Sequence, residues 1–188
     1  MSESGTPGRY NRSVDGLVAA LVITVVAVLA WVVFRALTSQ DEEIERDAVD
    51  YLETVQLAQD ADVEIAYPPT LPEGWKATNV TIVPGERPAF GLSILTDAGT
   101  FVGVRQEDEA LDELLATYVD EEPDNISEED ALSVDSPIAT SWEGYSDEGG
   151  DLAYAAELGE EQLLVYGSAS RADLTLLIEL LTTEPLTP

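Results

Sequence analysis

Ala89–Arg105 reads AFGLSILTDAGTFVGVR: two alternating runs on either side of a turn cluster. In Ala89 to Leu95, Phe90, Leu92 and Ile94 fall on one face. In Thr100 to Arg105, Val102 and Val104 share a face and Phe101 takes the other. A period of two is that of a strand with one side turned to a core, and Thr96-Asp97-Ala98-Gly99 supplies the turn. The segment is therefore read as an antiparallel hairpin.

The neighbouring segments extend the pattern. Ala77 to Val83, rich in Val, Ile and Thr, reads as a preceding strand, and Val63–Tyr67 alternates as a shorter one. Between them, the prolines of Tyr67–Trp75 exclude helix and sheet centre, and Leu71-Pro72-Glu73-Gly74 suits a type I turn. Downstream, Leu111, Leu114, Leu115 and Tyr118 have helical spacing with an acidic opposite face. Asp120 to Asp130 reads as an acidic loop, in which Ser127-Glu128-Glu129-Asp130 caps a short helical turn. Three further strands follow at Ile138–Tyr145, Asp151–Leu158 and Gln162–Gly167, with Asp147-Glu148-Gly149-Gly150 and Gly159-Glu160 as turns. The last helix carries Leu174, Leu177, Ile178 and Leu181, with Ser170 as N-cap and Asp173 three residues on. A first helix runs from Ala48 to about Ala58, with Tyr51, Leu52 and Val55 among its apolar residues. The order predicts an α+β domain: an antiparallel sheet of about five to seven strands with helices packed on it.

Upstream, Gly16 to Phe34 reads GLVAALVITVVAVLAWVVF and contains no charge. At about 1.5 Å per residue it spans roughly the ~30 Å hydrocarbon core of a bilayer. The run is too long for a signal peptide, and no Ala-x-Ala follows it. The chain is thus divided into a cytoplasmic tail (1–15), a transmembrane helix (16–34), an acidic juxtamembrane spacer (35–47) and an extracytoplasmic α+β domain (48–188). Arginines tie across the helix: Arg9 and Arg12 before it, Arg35 and Arg46 after it. A short tail before a large C-terminal domain fits an uncleaved signal-anchor with the N-terminus in the cytoplasm. Trp31 reads as an interfacial aromatic.

Charge bounds the partners. Only Glu3 and Asp15 of the 38 acidic residues precede Asp41, so the C-terminal part carries nearly all of the formal charge of −30. Such a surface repels the phosphates of nucleic acid and anionic lipid. It reads as a solubilising shell or, more sharply, as adaptation to high salt. Histidine and cysteine are both absent. The usual general base, the usual metal ligand and the thiolate nucleophile are therefore missing. Lys76, the sole lysine, reads as exposed. The 120–130 loop lacks the residue order of an EF-hand. Trp75 and Trp142 could line a groove, but core positions are the better reading. No residue is assigned as catalytic, cofactor-binding or metal-ligating. The leading expectation is non-catalytic binding of an envelope partner or ligand; the alternative is a carboxylate-dependent hydrolase acting on envelope glycans or peptides.

Several short patterns resemble one family. They are Arg12-Ser13-Val14 before the anchor, Tyr67-Pro68 with Leu71-Pro72-x-Gly74-Trp75, and Gly91-Leu92 with Gly99-x-Phe101-Val102-Gly103. Trp142-x-x-Tyr145 and Gly167-Ser168-Ala169-Ser170 complete the set. Together they resemble an actinobacterial group of single-pass membrane proteins catalogued as domain of unknown function 4245. The resemblance implies an envelope protein with an extracytoplasmic domain, and carries over no catalytic or binding residue. The element order is also similar to the PsbP-type α/β/α sandwich, at the level of fold alone.

Overall fold

A computed structural model describes residues 48–85 and 87–186, together with Leu21, Thr24, Val25, Val28 and Trp31. The chain divides into two compact units, residues 1–45 and 46–188. In the first, the five described residues are helical and exposed. Among the described residues no helix is long and apolar enough to cross a membrane. The tail (1–15), the spacer (35–47) and the rest of 16–34 lie outside them.

The second unit is one seven-stranded sheet with three helices. Helix α1 (Tyr51–Asp60) is followed by β1 (Lys76–Val83), β2 (Ala89–Leu95) and β3 (Phe101–Glu107). Helix α2 (Leu111–Tyr118) leads to β4 (Ser127–Ser133), β5 (Ser141–Ser146), β6 (Leu152–Leu158) and β7 (Glu161–Gly167), and α3 (Arg171–Leu180) follows. The spatial order is β1-β2-β3-β7-β6-β5-β4, and every pairing is antiparallel. Each meander forms from short turns, and β7 then docks on β3. The β2–β3 turn closes as its composition requires: Thr96 N donates to Thr100 O at 2.9 Å, and Gly99 takes φ +77°.

Strand alternation sorts side chains to two faces. One face holds Phe90, Leu92, Ile94, Val102, Val104, Trp142, Tyr154, Leu163 and Val165, packed with Tyr51 and Val55 of α1 and Leu174, Leu177 and Ile178 of α3. The other face carries a smaller cluster, in which Leu114 and Leu115 of α2 lie on Ala153, Ala155 and Leu164. Helices thus cover both faces. Caps fix the helix starts: Asp50 accepts from Leu52 N (3.2 Å), and Ser170 accepts from Asp173 N (3.2 Å).

Three local expectations are corrected. Ser127–Asp130 caps no helical turn; it opens strand β4, and the preceding turn is a single 3-10 turn at Pro123–Asn125. Pairing with β5 overrides the capping preference of Ser and Glu, and the acidic side chains face solvent on a sheet edge. Val63–Tyr67 is not a strand. Tyr67 makes one isolated bridge with Thr182, and the buried Gln106 side chain substitutes for a partner strand. Gln106 Oε1 accepts from Ala66 N at 2.7 Å, and Nε2 donates to Glu64 O at 2.8 Å. The proline turn sits one residue further on: Trp75 N donates to Pro72 O, and Gly74 at φ +83° occupies the left-handed third position of a type II turn.

Candidate binding surface

Residues singled out in the sequence fall mostly into structural roles. Trp75 and Trp142 are buried in the main core, where Trp142 Nε1 donates to Ala139 O at 3.1 Å. Lys76 is exposed. Gly149 and Gly150 turn the β5–β6 hairpin, with Gly150 at φ +90°. Among the described residues no group of three or more acidic side chains could hold a metal ion.

What the sequence left unread is the sheet face carrying α2. Helix α2 reaches β6 and β7. Over β1 to β3, register places Thr81, Gly91 and Arg105 in one row, and Ser93, Gly103 and Tyr166 in the next. The glycines are covered by their neighbours. A Cβ at Gly91 would stand 2.0 Å from Arg105 Nη1, and one at Gly103 would stand 2.5 Å from the Tyr166 ring. Two glycines on adjacent strands thus let a guanidinium and a phenol lie flat on the sheet.

The flat side chains form a continuous shelf. Arg105 Cζ lies 4.6 Å from the Tyr118 ring centre. Tyr118 and Tyr166 are 5.6 Å apart, and Phe101 meets Tyr166 edge-on at 5.7 Å. Arg105 Nη1 donates to Thr81 Oγ1 at 3.4 Å. The electrostatics are unusual for so acidic a chain. Arg87 pairs with Asp108 and Glu109, and Arg171 pairs with Glu129. Arg105 forms no such pair among the described residues, although Glu107 is two residues away on the same face. Glu107 instead accepts from Tyr118 Oη. Burial, then that hydrogen bond, push the Tyr118 hydroxyl up to about 12, while Arg105 acts in the opposite direction. The result is a guanidinium stacked on one ring, with most of its five donors uncommitted.

A second recess, of 520 Å³, opens beside the start of α2. Leu111, Ser141, Glu143, Ala155, Glu157 and Gln162 are among the residues lining it. Glu143 pairs across from Ala155, so Glu143 and Glu157 are diagonal neighbours roughly 7–8 Å apart along the backbone. Both are exposed, and Glu143 accepts from Tyr145 Oη at 2.7 Å.

The described domain is an acidic α+β module on one antiparallel sheet, with an arginine–aromatic shelf beside its second helix layer. The family described as Protein of unknown function (DUF4245) matches residues 9–181, and the chain belongs to that family. No curated protein and no solved structure matches it.

Proposed function

We propose that the chain is a membrane-tethered, extracytoplasmic binding domain without catalytic activity, and that the Arg105 shelf receives its ligand or an anionic group of its envelope partner. The observation that carries this reading is Arg105: a half-buried arginine, stacked on Tyr118 and, among the described residues, free of carboxylate partners in a chain of charge −30. A carboxylate borne on a flat apolar body would take the uncommitted donors in a two-pronged contact and lie along the rings. The surrounding acidity excludes polyanions and leaves room for one compact anionic group.

The tether rests on the uncharged run 16–34, of which Leu21, Val25, Val28 and Trp31 are exposed. The likeness to a PsbP-type sandwich rests on helices lying on both sheet faces. The hydrolase alternative keeps one foothold, the recess flanked by Glu143 and Glu157.

The test uses the full chain in detergent. Benzoate, acetate and inorganic phosphate are titrated while the arginine side-chain N–H resonances are followed. Benzoate is expected to move Arg105 most, and R105Q to abolish the effect. No response of Arg105 to any of the three defeats the shelf as a binding site. A substrate panel of glycans, peptides and esters addresses catalysis. Turnover abolished by E143Q or E157Q would install the hydrolase reading instead.

A further inference from the structure

The two edges of the sheet differ in chemistry. Edge β4 carries Glu128, Glu129 and Asp130 and is kinked by a register shift between Glu129 and Leu132. Charges and bulges of this kind prevent edge-to-edge pairing. Edge β1 has eight residues, and no charge occurs from Ala77 to Gly85. Its outer side is engaged once among the described residues, where Val49 N donates to Ala77 O at 2.9 Å. Beyond that contact, residues 79–83 present alternate backbone N–H and C=O groups with no partner strand among the described residues. Val49 and Val83, two of the exposed large apolar residues, mark the two ends of this open edge.

We infer that β1 pairs antiparallel with β1 of a second copy of the chain, joining two seven-stranded sheets. Several observations select a second copy over a different protein. The free span 79–83 is self-complementary: uncharged, and β-branched throughout Val80–Val83. It offers no carboxylate to a basic strand, so the acidity of the domain gives a basic partner no purchase here. A two-fold axis brings the Val49 end of one strand against Val83 of its mate. Because Val49 occupies the outer side of Ala77, the free span is 79–83, and Thr81 lies at its centre, opposite the second Thr81. The long-range repulsion between two such acidic domains lies outside the strip and is screened within about 8 Å at physiological ionic strength. Tethering both copies in one membrane raises their effective concentration.

Because the chain has no cysteine, single-cysteine variants of the full protein, oxidised in detergent or native membranes, give a clean test. Cβ atoms of directly opposed strand residues lie about 4.5–5.5 Å apart, within disulfide reach. T81C is expected to form a covalent dimer. N79C mixed with V83C is expected to cross-link more than either alone, and S133C on the opposite edge is expected to stay monomeric. Adding V83K to T81C should cut the cross-link several-fold while circular dichroism is unchanged, and chloride should increase it. Equal cross-linking of T81C and S133C would overturn the proposal. So would cross-linking of T81C to a different protein, or a monomer in which T81C stays reduced at every chloride concentration.

Discussion

Arg105 stands over Tyr118, with its guanidinium carbon 4.6 Å from the ring centre, while Glu107 accepts a hydrogen bond from the Tyr118 hydroxyl rather than pairing with the guanidinium. A guanidinium over an aromatic face gains about 0.5–1 kcal/mol when partly exposed. The pair therefore contributes modestly to stability, and its main consequence is geometric: a cation fixed flat against the sheet.

Glycine replacements should separate that geometry from the fold. G91A places its Cβ against the movable end of Arg105, so melting should fall little while the benzoate response of Arg105 is lost. G167A should be far worse. Its Cβ would stand 2.3 Å from the Phe101 carbonyl oxygen at φ +140°, where neither backbone can yield. A loss above about 2 kcal/mol is expected by denaturant titration. G150A, at φ +90° with nothing within 4 Å of its Cβ, should cost only about 1 kcal/mol.

Gln106 should be among the most sensitive polar positions. Its amide satisfies Ala66 N and Glu64 O in place of a strand. Q106L strands both groups, at about 1–3 kcal/mol for each buried one. Q106E keeps the acceptor for Ala66 but sets a carboxylate against Glu64 O and Glu161. Chemical denaturation should therefore rank both well below wild type.

Tyr154 offers the opposite case. Its hydroxyl is buried without a hydrogen-bond partner among the described residues, below an arginine (Arg171 Cζ, 5.7 Å from the ring). Y154F removes an unsatisfied polar atom and keeps the packing, so the melting temperature should hold or rise. A loss of more than about 1 kcal/mol would mean that an ordered water serves the hydroxyl.

Alkaline stability follows from three tyrosines. Tyr51 and Tyr118 are pushed up to about 12, chiefly by burial, as is Tyr145. A phenol whose folded value exceeds its unfolded value of about 10 favours the folded state below pH 10, and this contribution is lost as pH rises through 12. Phenolate absorbance should show part of the seven tyrosines titrating only together with unfolding. Independent titration of all seven near pH 10 would contradict these environments.

Salt and topology close the set. With a formal charge of −30, the protein should melt higher in molar sodium chloride than in dilute buffer. A melting temperature flat across chloride would show that the charge is not felt by the fold. Protease added to spheroplasts should digest the chain beyond Asp41; protection until lysis would reverse the proposed orientation.

The hairpin at Ala89–Glu107, the stripe of α3 with its Ser170 cap and the burial of Trp142 are legible in sequence because each depends on local period or local bonding. Ser127–Ser133 is not: its acidic residues have no strand propensity, and only the waiting edge of β5 makes it a strand. Arg105 was visible as the polar end of an alternating run, and Gly91 and Gly103 as interruptions in two strands. Register alone places each glycine beneath a neighbour's side chain.

By itself, then, the sequence determined the uncharged run 16–34, the acidic surface, the helices, most strands and the antiparallel class, all consequences of spacing along one chain. The tertiary structure decided that β7 closes on β3, that α2 covers only part of its face, and that Arg105 is left, among the described residues, without a carboxylate partner. Those outcomes depend on contacts between residues far apart in sequence, and short-range periodicity carries no information about which distant strand lies alongside.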